Sequence, residues 1–179
     1  VILATKLGRT IIPVVENFSE LGLILKHAQS YGVRPRIGVR VKLASEGSGR
    51  WRDSAGDRSK FGLFTTEILE ALNVLRERDM LDCLQLLHCH LGSQIPNIRN
   101  VRSGVLDACR FYAGLVQEGA PMGYLDLGGG LAVDCEGART NSTHSMNYQL
   151  QEYCTNIVES ICETLDPLEI AHPVIISES

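Results

Sequence analysis

The chain has 179 residues, of which 44% are hydrophobic and 21% charged, and 17 Lys plus Arg against 21 Asp plus Glu leave a formal charge of −4. This supplies apolar material for one domain with a buried core and no surplus of positive charge for gripping phosphate backbones, which argues against a nucleic-acid partner. No stretch reaches the ~20 consecutive apolar residues that cross a bilayer, and the first residues lack the basic-then-apolar pattern of a secretion signal, so no membrane partner and a cytoplasmic setting are expected.

In chain order, short apolar runs alternate with longer segments of helical spacing. The first run, Thr10 to Glu16, is followed by Asn17-Phe18-Ser19-Glu20, where an Asn N-cap and a Glu three residues on can satisfy free amides reciprocally. The helix this starts runs to about Tyr31 and stops at Gly32. Arg36 to Leu43 alternates Ile37, Val39, Val41 and Leu43 as a strand, and a helix from Thr66 to Asp79 puts Ile68, Leu69, Leu72 and Leu75 on one face. Cys83 to Leu91 reads as the third strand and Val101 to Glu118 as the third helix. The strand Tyr124 to Leu127 is halted by Gly128-Gly129-Gly130. A fourth helix spans Asn147 to Leu165, and Pro173 to Ser177 is a fifth strand whose core, Val174-Ile175-Ile176, is expected to be buried on both faces.

Five strands and four helices in strict alternation imply an α/β fold with right-handed parallel crossovers, either a doubly wound sheet or part of an eight-stranded barrel. The polar residues favour the barrel, because distinctive groups follow the strands at their C-terminal ends, where barrel enzymes place their chemistry. His90 and Ser93 follow one strand, the glycine triplet the next, and Glu178 the last. The expected fold is therefore a partial (β/α)8 TIM-type barrel of about five parallel strands. Between the second strand and second helix, Ala44 to Ser59 is a polar Gly- and Ser-rich insert far longer than the usual ~2 to 6 residue connection. Its acidic residues Glu46, Asp53 and Asp57 read as solvating groups.

The glycine triplet lets backbone amides approach a phosphate closely. It is not a dinucleotide fingerprint: the third glycine of GxGxxG would fall on Val133. His88 and His90, at alternate positions of one strand, are either a pair of core imidazoles or ligands, and no third metal ligand stands at a supporting spacing. The six cysteines, Cys83, Cys89, Cys109, Cys135, Cys154 and Cys162, are spread through apolar segments without a CxxC pair and read as reduced, mostly buried thiols.

Five stretches, RIGVRVKLASEGSGRW from Arg36, SKFGL from Ser59, LQLLHCHLGSQI from Leu84, YLDLGGGLAVD from Tyr124 and HPVIISES from His172, carry a resemblance. Together they resemble the barrel-type pyridoxal-phosphate (PLP) decarboxylases, the family of ornithine, diaminopimelate and biosynthetic arginine decarboxylases. The HxGS and glycine-triplet elements are shared across that family, and the long insert with GSGRW and SKFG is similar to the arginine branch. The resemblance implies that His90 stacks on the cofactor ring, that Ser93, Gly128, Gly129 and Gly130 hold its phosphate, and that Glu178 pairs with the pyridine nitrogen. Arg40 and Lys60 match basic positions of the family; Arg40 would bring positive charge to the cofactor site, with a structural ion pair as the equal alternative. Asp134 is a weaker candidate for ordering the glycine loop. Mg2+ is implied as an assisting ion with no assignable ligand.

The chain starts at Val1 and stops at Ser179 directly after an apolar run, and it is expected to be the central piece of a longer protein. None of Lys6, Lys26, Lys42 or Lys60 stands in the context of the family's Schiff-base lysine, which is expected upstream. The Gly-Arg expected after Ser179 and the C-terminal domain that completes the site across a dimer are expected downstream. The implied activity is decarboxylation of L-arginine to agmatine and CO2 in polyamine and spermidine biosynthesis by a homo-oligomer, with the 179-residue chain inactive on its own. The alternatives are the same chemistry on ornithine, lysine or diaminopimelate, an inactive regulatory homologue, and an unrelated phosphate-binding barrel.

Overall fold

The computed structural model describes residues 1–43, 60–132 and 146–178. Among them the elements run α1 (Ile2–Lys6), β1 (Val14–Val15), α2 (Phe18–Tyr31), β2 (Ile37–Arg40), α3 (Thr65–Glu77), β3 (Leu84–His88), α4 (Ile98–Gln117), β4 (Tyr124–Asp126), α5 (Leu150–Leu165) and β5 (Val174–Ile176). The five strands form one sheet in the order β1-β2-β3-β4-β5, every neighbouring pair parallel. A doubly wound sheet reverses its strand order at a switch point; a barrel adds each strand beside the last. The unbroken order is the barrel's, as the polar residues at the strand ends imply.

Local chemistry explains the elements. Asn17 Oδ1 accepts from Ser19 N at 3.0 Å while Glu20 Oε2 accepts from the backbone N–H groups of Asn17 and Glu16 at 3.1 and 2.8 Å, which closes the first turn of α2. Gly32 ends that helix in the left-handed conformation at φ 61°. In α3 the face formed by Ile68, Leu72 and Leu75 is buried, but Leu69 is 48% exposed, so the apolar stripe is narrower than its spacing suggests. Helix α1 has no counterpart in the sequence reading; its five residues are too few to display a period.

The core lies between the sheet and its helices. Ile37, Val39, Leu84, Leu87, Leu125 and Leu127 meet Leu21, Leu25, Leu72, Val105, Tyr112 and Leu165, all at most 1% exposed. On the ladder, Gly38 sits between Val14 and Leu86, and a Cβ there would lie 2.7 Å from Leu86 Cδ2, so the leucine fills the space that the glycine leaves. Strand β5 departs from expectation. Val174 is 59% and Ile175 39% exposed, because β5 pairs with β4 on one side only. Its apolar run marks a strand built to be covered, and among the described residues nothing covers it. Cys83, Cys89 and Cys109 are buried and unpaired, Cys154 is exposed, Cys162 is half-buried, and Cys135 lies outside the described residues. No described helix is long and apolar enough to cross a membrane.

Candidate functional site

The ladder register arranges the site. Arg40 of β2 pairs with His88 of β3, and His88 with Asp126 of β4, so these three side chains stand side by side on one face at the C-terminal end of the sheet. Glu16, one residue past the Val15–Val39 pair, extends this row and forms an ion pair with Arg40. Two residues further along, on the same face, come His90, Gly128 and Glu178. The backbone pairing persists that far: Cys89 N donates to Asp126 O at 2.9 Å, Leu127 N to Ile176 O at 3.1 Å and Glu178 N to Gly128 O at 2.9 Å. The rim thus consists of two rows, a lower one of charged groups and an upper one of imidazole, glycine and carboxylate.

Glycine is required in the upper row. Gly128 has φ +65°, and a Cβ on it would lie 3.0 Å from His90 Nδ1, 3.2 Å from Cys89 O and 3.5 Å from His88 Cε1. Both histidines therefore press on this one backbone position. Gly130, at φ +115°, approaches Gly92 so closely that a Cβ would stand 2.1 Å from the Gly92 carbonyl oxygen, and a Cβ on Gly129 would be 3.2 Å from Glu178 O. Ile95 N donates to Gly130 O at 3.1 Å, and Tyr148 clasps both loops, its hydroxyl donating to Ile95 O at 2.8 Å and accepting from Ala132 N at 3.3 Å.

Asp126 lies beneath the glycine turn. One carboxylate oxygen accepts from Gly128 N at 2.9 Å, the other stands 2.9 Å from His88 Nδ1, and a carboxylate oxygen also lies within 4.8 Å of one of Glu178. His88 Nδ1 is close to Asp126 without forming a hydrogen bond, and the contact is an ion pair only when the ring carries both protons. Burial pushes the Asp126 carboxyl up, but His88, the Gly128 N–H and Glu178 together outweigh burial and hold it below the usual carboxylate range. His90 is shifted down as well, first by burial and then by the positive charges of Arg40 and His88, against the pull of Glu178 and Asp126. Its imidazole is thus biased toward the neutral form relative to a free imidazole.

Each anticipated residue can be located. His90, Gly128, Gly129 and Glu178 converge on one rim, and Ser93 and Gly130 belong to the loops joined there. Arg40 is ion-paired to Glu16, as in the structural alternative, with its guanidinium 5.7 Å from the Phe61 ring centroid, and its charge lowers the His90 pKa. Lys60 is exposed. Asp134, Glu46, Asp53, Asp57 and the rest of the insert lie outside the described residues. Sequence reasoning missed Asp126, Glu16 and Tyr148. For Asp126 there was a signal, a lone carboxylate inside the apolar run Tyr124 to Leu127, two residues before a glycine turn. It also missed that the fold gives His88 two carboxylate neighbours: a donor atom of His88, of Asp126 and of Glu178 all lie within 4.8 Å of one another, a grouping that no sequence spacing reveals.

The residues matching residues 4–179 of the chain are those of a family described as pyridoxal-dependent decarboxylase, pyridoxal binding domain. The chain belongs to this family. It is 55% identical to the biosynthetic arginine decarboxylase of Rhodopirellula baltica and 49% to that of Vibrio cholerae, each alignment covering 99% of this chain but only 27% and 28% of the relative. The crystal structure of the biosynthetic arginine decarboxylase from Campylobacter jejuni superposes with a TM-score of 0.84 at 32% identity, covering 99% of this chain and 28% of that one. Diaminopimelate decarboxylase from Helicobacter pylori, at 23% identity and a TM-score of 0.71 over 92% of this chain and 38% of its own, shares the fold.

The described rim fits the family's cofactor. Gly130 and Gly92 approach each other with no room for a Cβ, and Gly128 and Gly129 pack closely on His90, Cys89 and Glu178, so the rim carries a side-chain-free glycine cradle of the kind that admits a phosphate. The His90 imidazole and the Glu178 backbone stand beside it, both against Gly128.

Proposed function

We propose that the protein containing this chain is a PLP-dependent L-arginine decarboxylase, forming agmatine and CO2 for polyamine and spermidine synthesis. The observation that carries the site reading is the joining of His90, Gly128 and Glu178 on one rim, through the close His90–Gly128 approach and the Glu178–Gly128 backbone bond. The choice of arginine is supported by 55% identity across 99% of the chain to an enzyme of that name.

When bound, PLP supplies a sink for the electron pair released as the bond between Cα and the carboxylate breaks. The chain's residues hold and tune the site. Ser93 and the N–H groups of Gly129 and Gly130 bind the phosphate, and the neutral imidazole of His90 packs on the ring face. Glu178 keeps a proton at the pyridine nitrogen, and Arg40, tied to Glu16, keeps His90 uncharged. The carboxylate of the substrate has no counter-charge assigned within this chain. In our reading the cofactor's lysine and the remaining substrate contacts come from segments outside the 179 residues. The segment alone is then inactive, and the whole protein acts as a cytoplasmic homo-oligomer without nucleic-acid or membrane partners. Mg2+ is assigned no ligand here.

The test is CO2 release by the full-length protein with PLP and Mg2+, comparing arginine, ornithine, lysine and diaminopimelate at equal concentration. Preference for arginine is expected. Preference for another substrate overturns the assignment of arginine, and PLP binding without turnover of any of the four identifies an inactive homologue.

A further inference from the structure

His88 and Asp126 of the lower row have no role in the reading above, yet they are two of the most buried polar side chains in the described chain, at 6% and 7% exposure. Buried charged groups are costly unless their contacts repay them, so such a pair directly under a functional rim asks for an explanation. We infer that Asp126, backed by His88, is the positioning residue of the cofactor site, fixing the glycine turn with one carboxylate oxygen and the Glu178 carboxyl with the rest of the group.

The geometry links three strands through one side chain. Asp126 Oδ1 takes the Gly128 N–H at 2.9 Å, and the Gly128 carbonyl takes the Glu178 N–H at 2.9 Å, so the first glycine of the triplet is held at both ends. Without the carboxylate, the Gly128 N–H would be a buried donor with no partner among the described residues. A carboxylate oxygen of Asp126 also lies within 4.8 Å of one of Glu178. Two carboxyl groups this close are favourable only when they share a proton or a cation lies beside them. His88, with Nδ1 2.9 Å from Asp126 Oδ2 and a ring nitrogen within 4.8 Å of a Glu178 oxygen, is the imidazole placed against both carboxyl groups. The groups facing this cluster are His88 and His90 from β3 and the residues after it, Arg40 from β2, and Glu178 after β5, with Glu16 held off by Arg40. Asp126 thus sets both the shape of the phosphate turn and the place and charge of the carboxyl that meets the ring nitrogen. It touches neither cofactor nor substrate itself.

This inference rests on the PLP reading, and the two are separable by experiment. In the full-length protein, D126A, D126N and H88F are compared with wild type by PLP titration of the apoprotein, followed through cofactor absorbance, and by kcat and KM. D126A is expected to bind PLP about tenfold more weakly, because the turn loses its anchor. D126N keeps an oxygen acceptor for Gly128 N–H and is expected to restore PLP affinity to near the wild-type value, while its kcat stays about tenfold low with KM little changed, because the uncharged amide donates to Glu178 and removes the negative charge beside it. H88F is expected to lower kcat in the same sense as D126N. If D126A does not fold, D126N and H88F carry the test. Wild-type kcat in both D126N and H88F, or PLP affinity in a folded D126A equal to wild type, overturns the inference and leaves the PLP reading intact. Failure of the wild-type protein to bind PLP overturns both.

Discussion

Gly130 and Gly92 meet backbone to backbone, at a distance that leaves no room for a side chain: a Cβ on Gly130 would lie 2.1 Å from the Gly92 carbonyl oxygen. The contact joins the loop after β3 to the loop after β4. Gly130→Ala must part the two loops and also place an L-residue at φ +115°, a conformation that costs about 2 kcal/mol. The expected result in the full-length protein is a lower thermal midpoint together with weaker PLP binding. Loss of stability with unchanged PLP affinity would show that the junction is structural only.

Gly114 gives the opposite sign. It lies inside α4, its φ is not in the left-handed region, and a Cβ there meets nothing within 4 Å. Gly114→Ala therefore removes backbone freedom from the unfolded chain without a clash and should stabilise by about 0.5–1 kcal/mol, read as a raised thermal midpoint.

Tyr148 is 4% exposed and its hydroxyl joins Ile95 O to Ala132 N. Tyr148→Phe keeps the ring and strands both backbone groups, at a cost of about 1–3 kcal/mol. Denaturant unfolding of the variant checks this, and PLP affinity should fall with it because the clasp holds the loop that carries Gly130.

These three positions also show what the sequence makes legible. The strand and helix order, the glycine triplet after β4 and the positions of His90 and Glu178 after their strands are local patterns, since alternation, caps and glycines act within a few residues. Boundaries were less well defined: β1 shrinks from Thr10–Glu16 to Val14–Val15, and α4 begins at Ile98, three residues early, where Asn97 Oδ1 accepts from Arg99 N at 3.0 Å. The burial assigned to β5 was wrong because composition reports what a strand is built to face, and not how many neighbours it has. Glu16 and Tyr148 act through partners 24 and 53 residues away in the chain, in the Arg40–Glu16 and Tyr148–Ile95 contacts, and such pairings become visible only once the register is known.

Arg40 should govern the titration of His90. The imidazole is held low first by burial and then by the Arg40 and His88 charges. In R40M one of those charges is gone, so His90 keeps its proton to higher pH. Diethylpyrocarbonate attacks the neutral imidazole, and mass spectrometry of the modified apoprotein should show the midpoint for His90 rising in R40M relative to wild type. The linkage sign follows: folded His90 holds its proton less tightly than a free imidazole at about 6.5, so its contribution is complete above that pH and is lost as pH falls through the folded value. An unmoved midpoint would mean that Arg40 is fully neutralised by Glu16.

Strand β5 predicts the behaviour of the 179-residue chain on its own. Val174 and Ile175 are largely open to solvent, and beyond them β5 presents a strand edge with no partner among the described residues. An apolar, unpaired edge is a template for pairing with another chain, so the isolated segment should sediment as aggregates. Replacing Val174 and Ile175 by lysine places like charges on that edge, which repel when two copies approach. The doubly substituted segment should remain in the supernatant at concentrations where the parent segment does not. In the full-length protein the same pair of lysines is expected to lower the thermal midpoint, since charges buried without partners are costly, and an unchanged midpoint would show that this face stays open there too. Equal solubility of the two segments would place the aggregating surface elsewhere, with Leu3, Leu7 and Leu23 around α1 the next exposed apolar group to substitute.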